Sequence, residues 1–393
     1  MQVRNVEWVV KISKLCNLRC TYCYEFPFLG NPERMRLDDL ARMFGHIADY
    51  YAEAPKRMDF VWHGGEPLLI EPEYYQQIVE RQHAAFDPVR VPFTNSVQTN
   101  LTTLNDKVMG LIQSGFFGNI GVSLDLFGDQ RVNVAGKPSQ SLVLQNMQRL
   151  IDAGISFGCI TVLSQVTAPH IEAIYHFFEE IDTSFRLLPV YRTGYEHQQD
   201  ALALTDREIV AAFKKVVDLW LASDRNIQVR PIEDYITNAV WKLDRVPPRS
   251  HYDKLQDEVV YIVNTDGSLF SVADPPDMNL CHGNIFQSPL GDLKRSAGYL
   301  RAVQAAQDRM HATCSNCNYF GICSGYFMGE ATPEQRHMDA NGRLTCGVVQ
   351  PMQEYIERRL IELGVFDQHT GWATDIGSLR QKLSNAAVGS FTG

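Results

Sequence analysis

"LCNLRCTYCYE" (residues 15–25) sets Cys16, Cys20 and Cys23 at spacings of four and three, immediately after the apolar, β-branched run "EWVVKIS" (7–13). Whatever fold surrounds these thiols must deliver them at the end of a strand. The following runs say which fold that is. Residues 37–52 read as a helix with Leu37, Leu40, Phe44, Ile47 and Tyr51 on one face. "MDFVW" (58–62), "NSVQTN" (95–100), "NIGVSLD" (119–125), "FGCITVL" (157–163) and "FRLLPV" (185–190) read as further strands. Helical stretches follow them near 72–86, 104–114, 140–153, 169–181 and 206–223. Six βα units in series predict an α/β fold on a parallel sheet, either doubly wound or curled into an open partial barrel. Ligands in such sheets bind at the C-terminal ends of the strands.

The alternation stops after a helix over 231–243, which sets a first domain at 1–243. The polar stretch 244–257, with its Pro247-Pro248 pair, reads as a linker. A second, small α+β domain is expected over 258–366. It opens with "EVVYIVNTDGSLFSV", a β-hairpin around Asp266-Gly267, and closes with a helix near 349–363. The polar residues 367–393 are expected to form a flexible tail.

Bulk composition removes several classes of function. The chain has 393 residues, 45% of them hydrophobic, enough for one large domain and a smaller one. A net charge of −10 argues against nucleic acid as a partner, since such binders usually show a basic face. There is no run of about 18 apolar residues to cross a membrane, and no basic-then-apolar signal peptide at the start. A cytoplasmic location is expected, where nine cysteines are poor disulfide formers. Eight of the nine fall in two groups. Cys159, alone in "FGCITVL", reads as strand packing.

Clustered thiols in a reducing compartment point to metal. Structural zinc takes four tetrahedral ligands, usually in pairs. The first group offers three thiols and no fourth cysteine or histidine within its loop. An iron–sulfur cubane on three thiolates keeps one iron open to a small molecule. The second group, "CSNCNYFGIC" (314–323) followed by Cys346, supplies Cys314, Cys317, Cys323 and Cys346. Four thiolates close either a zinc site or a cluster, and spacing alone does not separate the two.

C-x3-C-x2-C directly after the first strand of a βα series resembles the radical SAM superfamily. The resemblance implies a partial (β/α)6 TIM-like barrel whose cysteine loop holds a [4Fe–4S] cluster with S-adenosylmethionine on its open iron. The reduced cluster cleaves the cofactor to a 5′-deoxyadenosyl radical that abstracts a hydrogen atom from substrate. Tyr22 then takes the place beside the adenine. "WHGGEPLL" (62–69) is similar to the family's GGE motif: Gly64 and Gly65 let the backbone approach a ligand, and Glu66, next to Pro67, can accept from its ammonium group. Ser123 in "VSLDLFGDQR" resembles a cofactor contact, and Arg131 is a partner for a carboxylate of cofactor or substrate, or a surface ion pair. Asp125 faces substrate or caps a helix. Gln98 and Asn100, on one face of the third strand, aim at the barrel mouth, and Tyr191 and Arg192 end the sixth strand as pocket candidates.

After such a domain, the second group resembles the SPASM extension, whose auxiliary clusters follow a hairpin with a "DG" turn. A full SPASM domain carries seven cysteines and two auxiliary clusters. Here Phe327 stands where the cysteine four residues after Cys323 is expected, so one auxiliary [4Fe–4S] cluster is implied, and Cys281 is left over. Family members mostly modify peptides. The resemblance therefore implies a maturase that crosslinks a small ribosomally made precursor peptide. Its alternatives are a sulfatase-maturase-like oxidase of cysteine or serine, and a small-molecule dehydrogenase. A reducing partner such as flavodoxin or ferredoxin is implied. The chain starts almost at its first strand, so leader binding is expected on its own surface or on a separate protein. A non-catalytic Fe–S or zinc sensor is disfavoured by "GGEP" and "VSLD" in register with the βα units.

Overall fold

β1 (Asn5–Ser13), the strand leading into the cysteine loop, buries Val6, Trp8, Val10 and Ile12 completely. These four alternate along one face, and Glu7 and Ser13 on the other face are buried as well, so the strand is covered on both sides, as inside a layered α/β fold. The computed structural model describes residues 5–190, 201–247, 251–257, 260–272, 277–332, 335–373 and Leu379. The strands after β1 are β2 (Arg57–Gly64), β3 (Phe93–Thr99), β4 (Asn119–Ser123), β5 (Gly158–Leu163), β6 (Phe185–Pro189) and the short β7 (Val229–Arg230). Each pairs in parallel with its predecessor, in the order β1-β2-β3-β4-β5-β6-β7. A doubly wound sheet reverses its strand order at a switch point. This sheet does not reverse within the series, so the partial barrel is the correct alternative.

Helices α1 (Leu37–Tyr51), α2 (Pro72–Phe86), α3 (Asp106–Gln113), α4 (Gln140–Asp152), α5 (Ile171–Glu180), α6 (Asp206–Ala222) and α7 (Ile232–Leu243) fill the crossovers. Their apolar faces supply the core: Leu40, Met43, Phe44 and Ile47 of α1 are buried in it, with the Phe44 ring packed against Phe60 and Phe86. Cys159 lies buried in β5 within that core.

The hairpin around Asp266-Gly267 forms as β8 (Val260–Val263) and β9 (Ser268–Ser271), with β10 (Gly283–Asn284) beyond it. β8 pairs in parallel with β1, so the C-terminal hairpin extends the barrel sheet past its first strand. Residues 251–257 lie packed: Tyr252 N donates to Ser324 O (2.8 Å), and Tyr252 and Lys254 are buried. The C-terminal helices are α8 (Leu290–Leu293), α9 (Ala297–Cys314), α10 (Tyr326–Gly329) and α11 (Val349–Glu362). α9 has no counterpart in the sequence reading. Its buried face includes Gly298, Ala302 and Ala306, which carry little apolar periodicity. Among the described residues no helix is long and apolar enough to cross a membrane.

Candidate cluster and cofactor site

The loop after β1 is stitched into shape by its own backbone. Cys16 N donates to Leu29 O (3.0 Å), and Arg19 N and Thr21 N donate to Val132 O and Gln130 O (2.7 and 2.9 Å). Arg19 folds back so that Nη1 donates to Cys16 O and Leu18 O (2.8 and 2.7 Å). Cys16, Cys20 and Cys23 thereby line one pocket at the C-terminal strand ends, together with Gly64, Gly65, Gln98, Ser123 and Arg131. It encloses about 870 Å³ up to its mouth.

Gly64 and Gly65 serve a close approach, but to the chain's own backbone. Gly65 N donates to Ser13 O and Glu66 N to Leu15 O (both 2.8 Å). A Cβ on Gly65 would stand 2.2 Å from Leu15 O, and one on Gly64 2.3 Å from Ser13 O, with Gly64 at φ 118°. The turn is docked onto the start of the cysteine loop, and only glycine permits that contact.

Three readings change once side chains are placed. Glu66 does not line the pocket. It is buried, and its carboxylate accepts from Leu68 N (2.9 Å), Thr99 Oγ1 (2.7 Å) and Asn100 N (2.7 Å). Burial raises its pKa while these donors pull it down, and its work is to tie the end of β2 to the end of β3. Pro67 is buried in the 3-10 turn that follows and lies outside the pocket lining too. Asp125 likewise faces inward instead of toward substrate. It accepts from Tyr22 Oη, Val162 N (2.7 Å) and Thr161 Oγ1 (3.3 Å). Asn100 lines the pocket but spends its amide on the cysteine loop, donating to Asn17 Oδ1 (2.9 Å) and Cys16 Sγ (3.7 Å).

Gln98 and Ser123 do meet at the mouth, Gln98 Nε2 donating to Ser123 Oγ at 2.8 Å. Arg131 Nη1 donates to Tyr22 Oη (2.7 Å), with Asp125 Oδ2 3.9 Å away. Its Nε is buried without a partner. Burial alone would favour losing the Arg131 proton, but Cys20, Tyr22 and Asp125 outweigh it, and the guanidinium is held above its ordinary pKa. The surface ion-pair reading of Arg131 is thus excluded. Tyr191 and Arg192 lie outside the described residues.

Sequence reasoning missed His63, Val162 and Leu188, which also line the pocket. Their position at strand ends was the available signal. Burial and Lys11 push His63 down to about 4, so the ring is neutral, with Nδ1 accepting from Gly64 N (2.7 Å).

The second site gathers Cys314, Cys317, Cys323 and Cys346 around about 380 Å³, walled by Tyr319, Phe320, Phe327, Met328 and Val349. Cys281 is not among its lining residues. It is half-buried, its Sγ donating to Gly283 O at 3.6 Å.

Burial pushes the thiols up at both sites, Cys16 to about 11, Cys23 to about 12, Cys314 to about 12 and Cys346 to about 11. Such thiols become thiolates only beside positive charge, which a metal supplies. Among the described residues no three His, Cys, Asp or Glu side chains converge tightly enough for a single ion. The donors present fit a [4Fe–4S] cluster at the N-terminal site. The unpartnered Arg131 Nε and the Gln98–Ser123 pair beside it fit a polar cofactor.

A parallel partial barrel whose first loop turns three thiols into the mouth defines a cluster-dependent α/β-barrel enzyme. Residues 10–178 match the radical SAM superfamily, so this stretch is a radical SAM domain, of the kind that uses a [4Fe–4S] cluster and S-adenosylmethionine, and the chain is an enzyme. It is 23% identical over 329 residues to the cysteine-type anaerobic sulfatase-maturating enzyme of Clostridium novyi, covering 79% of this chain and 84% of that one. Native anSMEcpe, solved with bound AdoMet and Cp18Cys peptide, superposes with a TM-score of 0.71 at 21% identity, over 91% of this chain and 98% of that one. Streptococcus suis SuiB bound to precursor peptide SuiA superposes with a TM-score of 0.54 at 15% identity, over 84% and 74%.

Proposed function

We propose that this enzyme is a peptide maturase that oxidises a side chain of a ribosomally made precursor and closes it into a crosslink. The observation that carries this reading is the pairing of two unlike thiol sites in one chain. The first opens into the barrel mouth beside Gln98, Ser123 and Arg131, and the second lies in an apolar wall. When bound, a reduced [4Fe–4S] cluster and S-adenosylmethionine supply the 5′-deoxyadenosyl radical, and one auxiliary cluster supplies an acceptor for the electron given up in forming the product.

The chain's own residues set the stage. Cys16, Cys20 and Cys23 hold the first cluster, and Cys314, Cys317, Cys323 and Cys346 the second. Gly64 and Gly65 fix the cysteine loop to β2. Arg131 offers its free Nε to a carboxylate, and Ser123 with Gln98 offers a hydroxyl and an amide to a ribose or an amino acid. Tyr22, clamped between Asp125 and Arg131, presents a fixed ring to the pocket. Val162 and Leu188 exclude water beside the reacting atoms. The peptide relatives support a peptide substrate. Flavodoxin or ferredoxin would deliver the reducing electron, in the cytoplasm where such clusters persist, and the leader would be held on the enzyme's own surface or by a separate protein.

A second reading, oxidation of a cysteine or serine to an aldehyde, is favoured by the likeness to the Clostridium novyi enzyme across most of both chains. One experiment separates the two. The anaerobically reduced protein is incubated with S-adenosylmethionine and two peptides, one encoded by a neighbouring short reading frame and one carrying a sulfatase-type cysteine or serine. Formation of 5′-deoxyadenosine with a product that has lost hydrogen but resists hydrazine trapping supports the crosslink. A hydrazine-reactive product establishes the oxidase instead. Absence of 5′-deoxyadenosine with either peptide overturns both readings.

A further inference from the structure

We infer that each thiol site carries one buried carboxamide that serves the sulfurs of the cluster there and raises its potential: Asn100, which donates to Cys16 Sγ, and Gln353, which lines the four-thiol pocket with its Nε2 unpartnered. The inference rests on the cluster reading above and adds a role for two residues outside the ligand sets.

At Asn100 every hydrogen-bonding position is accounted for. Oδ1 accepts from Thr102 N (2.9 Å) and Thr102 Oγ1 (2.7 Å), which fixes which end of the amide is which. Nδ2 then has two hydrogens to place. One goes to Asn17 Oδ1 (2.9 Å) and the other to Cys16 Sγ (3.7 Å). Asn17 Nδ2 closes the ring by donating to Thr102 Oγ1 (2.8 Å). The side chain is 5% exposed, so water does not compete for the sulfur. Glu66 holds the same residue from behind through Asn100 N. The amide is aimed by a closed network and has no other use for its second hydrogen.

Gln353, on α11, brings a buried amide to the other site. It is 1% exposed, it lines the four-thiol pocket, and its Nε2 has no hydrogen-bond partner among the described residues. An orphaned buried amide is costly unless something accepts its hydrogen. Cys323 lines the same pocket, so its sulfur, or a sulfide of the cluster bound there, is the acceptor the site offers. Hydrogen bonds to cluster sulfurs stabilise the more negative, reduced state and shift the potential upward. At the first site this makes the cluster easier to reduce, and at the second it makes a better electron acceptor.

The test is a potentiometric EPR titration of the anaerobically reconstituted full-length protein. Only a cluster with an open iron responds to S-adenosylmethionine, which separates the two signals. Asn100→Ala is expected to lower the potential of the S-adenosylmethionine-responsive cluster and leave the other unmoved, and Gln353→Leu to do the reverse. Asn17→Ala removes the tether but keeps the Asn100 amide, and is expected to leave both potentials in place. Unmoved potentials in fully loaded Asn100→Ala or Gln353→Leu overturn the inference for that site, as does an equal shift in Asn17→Ala. If Asn100→Ala does not load iron, wild-type protein labelled with 15N-asparagine decides: weak nitrogen coupling to the reduced cluster supports the contact and its absence overturns it. Wild-type protein with no C-terminal cluster would instead refute the cluster reading itself.

Discussion

The two cysteine sites solve opposite problems with the same atoms. The N-terminal thiols sit on a loop between strand ends, in a pocket of about 870 Å³ shared with Gly65, Gln98, Ser123 and Arg131. The C-terminal thiols sit around about 380 Å³ lined mostly by aromatic and aliphatic side chains. On the cluster reading proposed above, three thiolates with polar neighbours would leave a coordination place and the means to fill it, whereas four thiolates in a mostly apolar lining would leave no such place. The contrast extends to how each is braced. The first site is held by backbone-to-backbone approach at Gly64 and Gly65, the second by side-chain packing and a buried ion pair between Lys254 and Glu330 (2.9 Å, both side chains 3% exposed).

The bluntest way to break the comparison is to delete one site. In the Cys16/Cys20/Cys23→Ala variant, formation of 5′-deoxyadenosine should be abolished while iron falls from about eight to about four per chain. Iron and sulfide analysis of anaerobically reconstituted protein checks it. About twelve irons in the wild type would mean a second auxiliary site and end the picture of one open and one closed centre. About four, with zinc alongside, would make the C-terminal module structural.

The bracing of the closed site predicts the next largest effect. Tyr252 Oη also donates to Glu330 (2.6 Å), so Lys254→Met would strand a buried carboxylate. Breaking one side of a buried pair costs about 3–5 kcal/mol, while replacing both with apolar groups is often neutral. Lys254→Met should therefore lower the urea midpoint sharply and Lys254→Met/Glu330→Leu recover most of it. A double variant as weak as the single would show that the pair is not the brace.

Much of this contrast was legible in the sequence, and the part that was not has a common cause. Strand-helix alternation and the C-x3-C-x2-C spacing are local patterns, and they led to the barrel and to the three-thiol loop. The directions of Glu66, Asn100 and Asp125 are set by hydrogen-bond partners distant in sequence: Thr99 donates to Glu66, Val162 N donates to Asp125, and Asn100 donates to Cys16 Sγ. Alternation along a strand says which face a residue is on but not what it is bonded to there. α9 was missed for a different reason, because a helix that buries glycine and alanine shows little apolar stripe. Cys281 stayed unassigned in sequence, and in the structure it stands apart from the four-thiol pocket.

Glycine at each site sharpens the comparison further. At the open site, Gly65→Ala drives a Cβ into the Leu15 carbonyl at 2.2 Å, and backbone cannot step aside. At the closed site, Gly325→Ala meets Met310 Cε at 2.8 Å, the far end of a flexible side chain, at φ 79°. Overpacking costs about 1–3 kcal/mol, and the positive φ alone about 1 kcal/mol. Gly65→Ala should sit at the upper end and lose affinity for S-adenosylmethionine, and Gly325→Ala should cost about 1 kcal/mol with cofactor affinity intact. Denaturation and equilibrium cofactor binding measure both, and equal losses would mean the two sites are braced alike.

An effect confined to one pH range lies at the seam between the regions. α7 carries Tyr235 against Phe327 of the four-thiol wall, and at its start Glu233 is buried, Oε1 accepting from Val229 N (3.2 Å) and Oε2 unpartnered. Burial raises Glu233 to about 7, against the pull of Arg230 and the Val229 amide. The folded chain then keeps a proton that the unfolded chain releases near the ordinary glutamate value of about 4.3. Unfolding between those two pH values releases that proton, so the contribution to stability is full at low pH, falls as pH rises toward 7, and is flat above. Glu233→Gln carries no such loss. It should match the wild type near pH 4.5 and exceed it by about 1–2 kcal/mol at pH 8, less than the full linkage value because the new amide hydrogens find no acceptor at Oε2. Urea denaturation at both pH values reads this directly. A difference that stays constant with pH would show that the seam is held by packing alone, with no buried acid setting its strength.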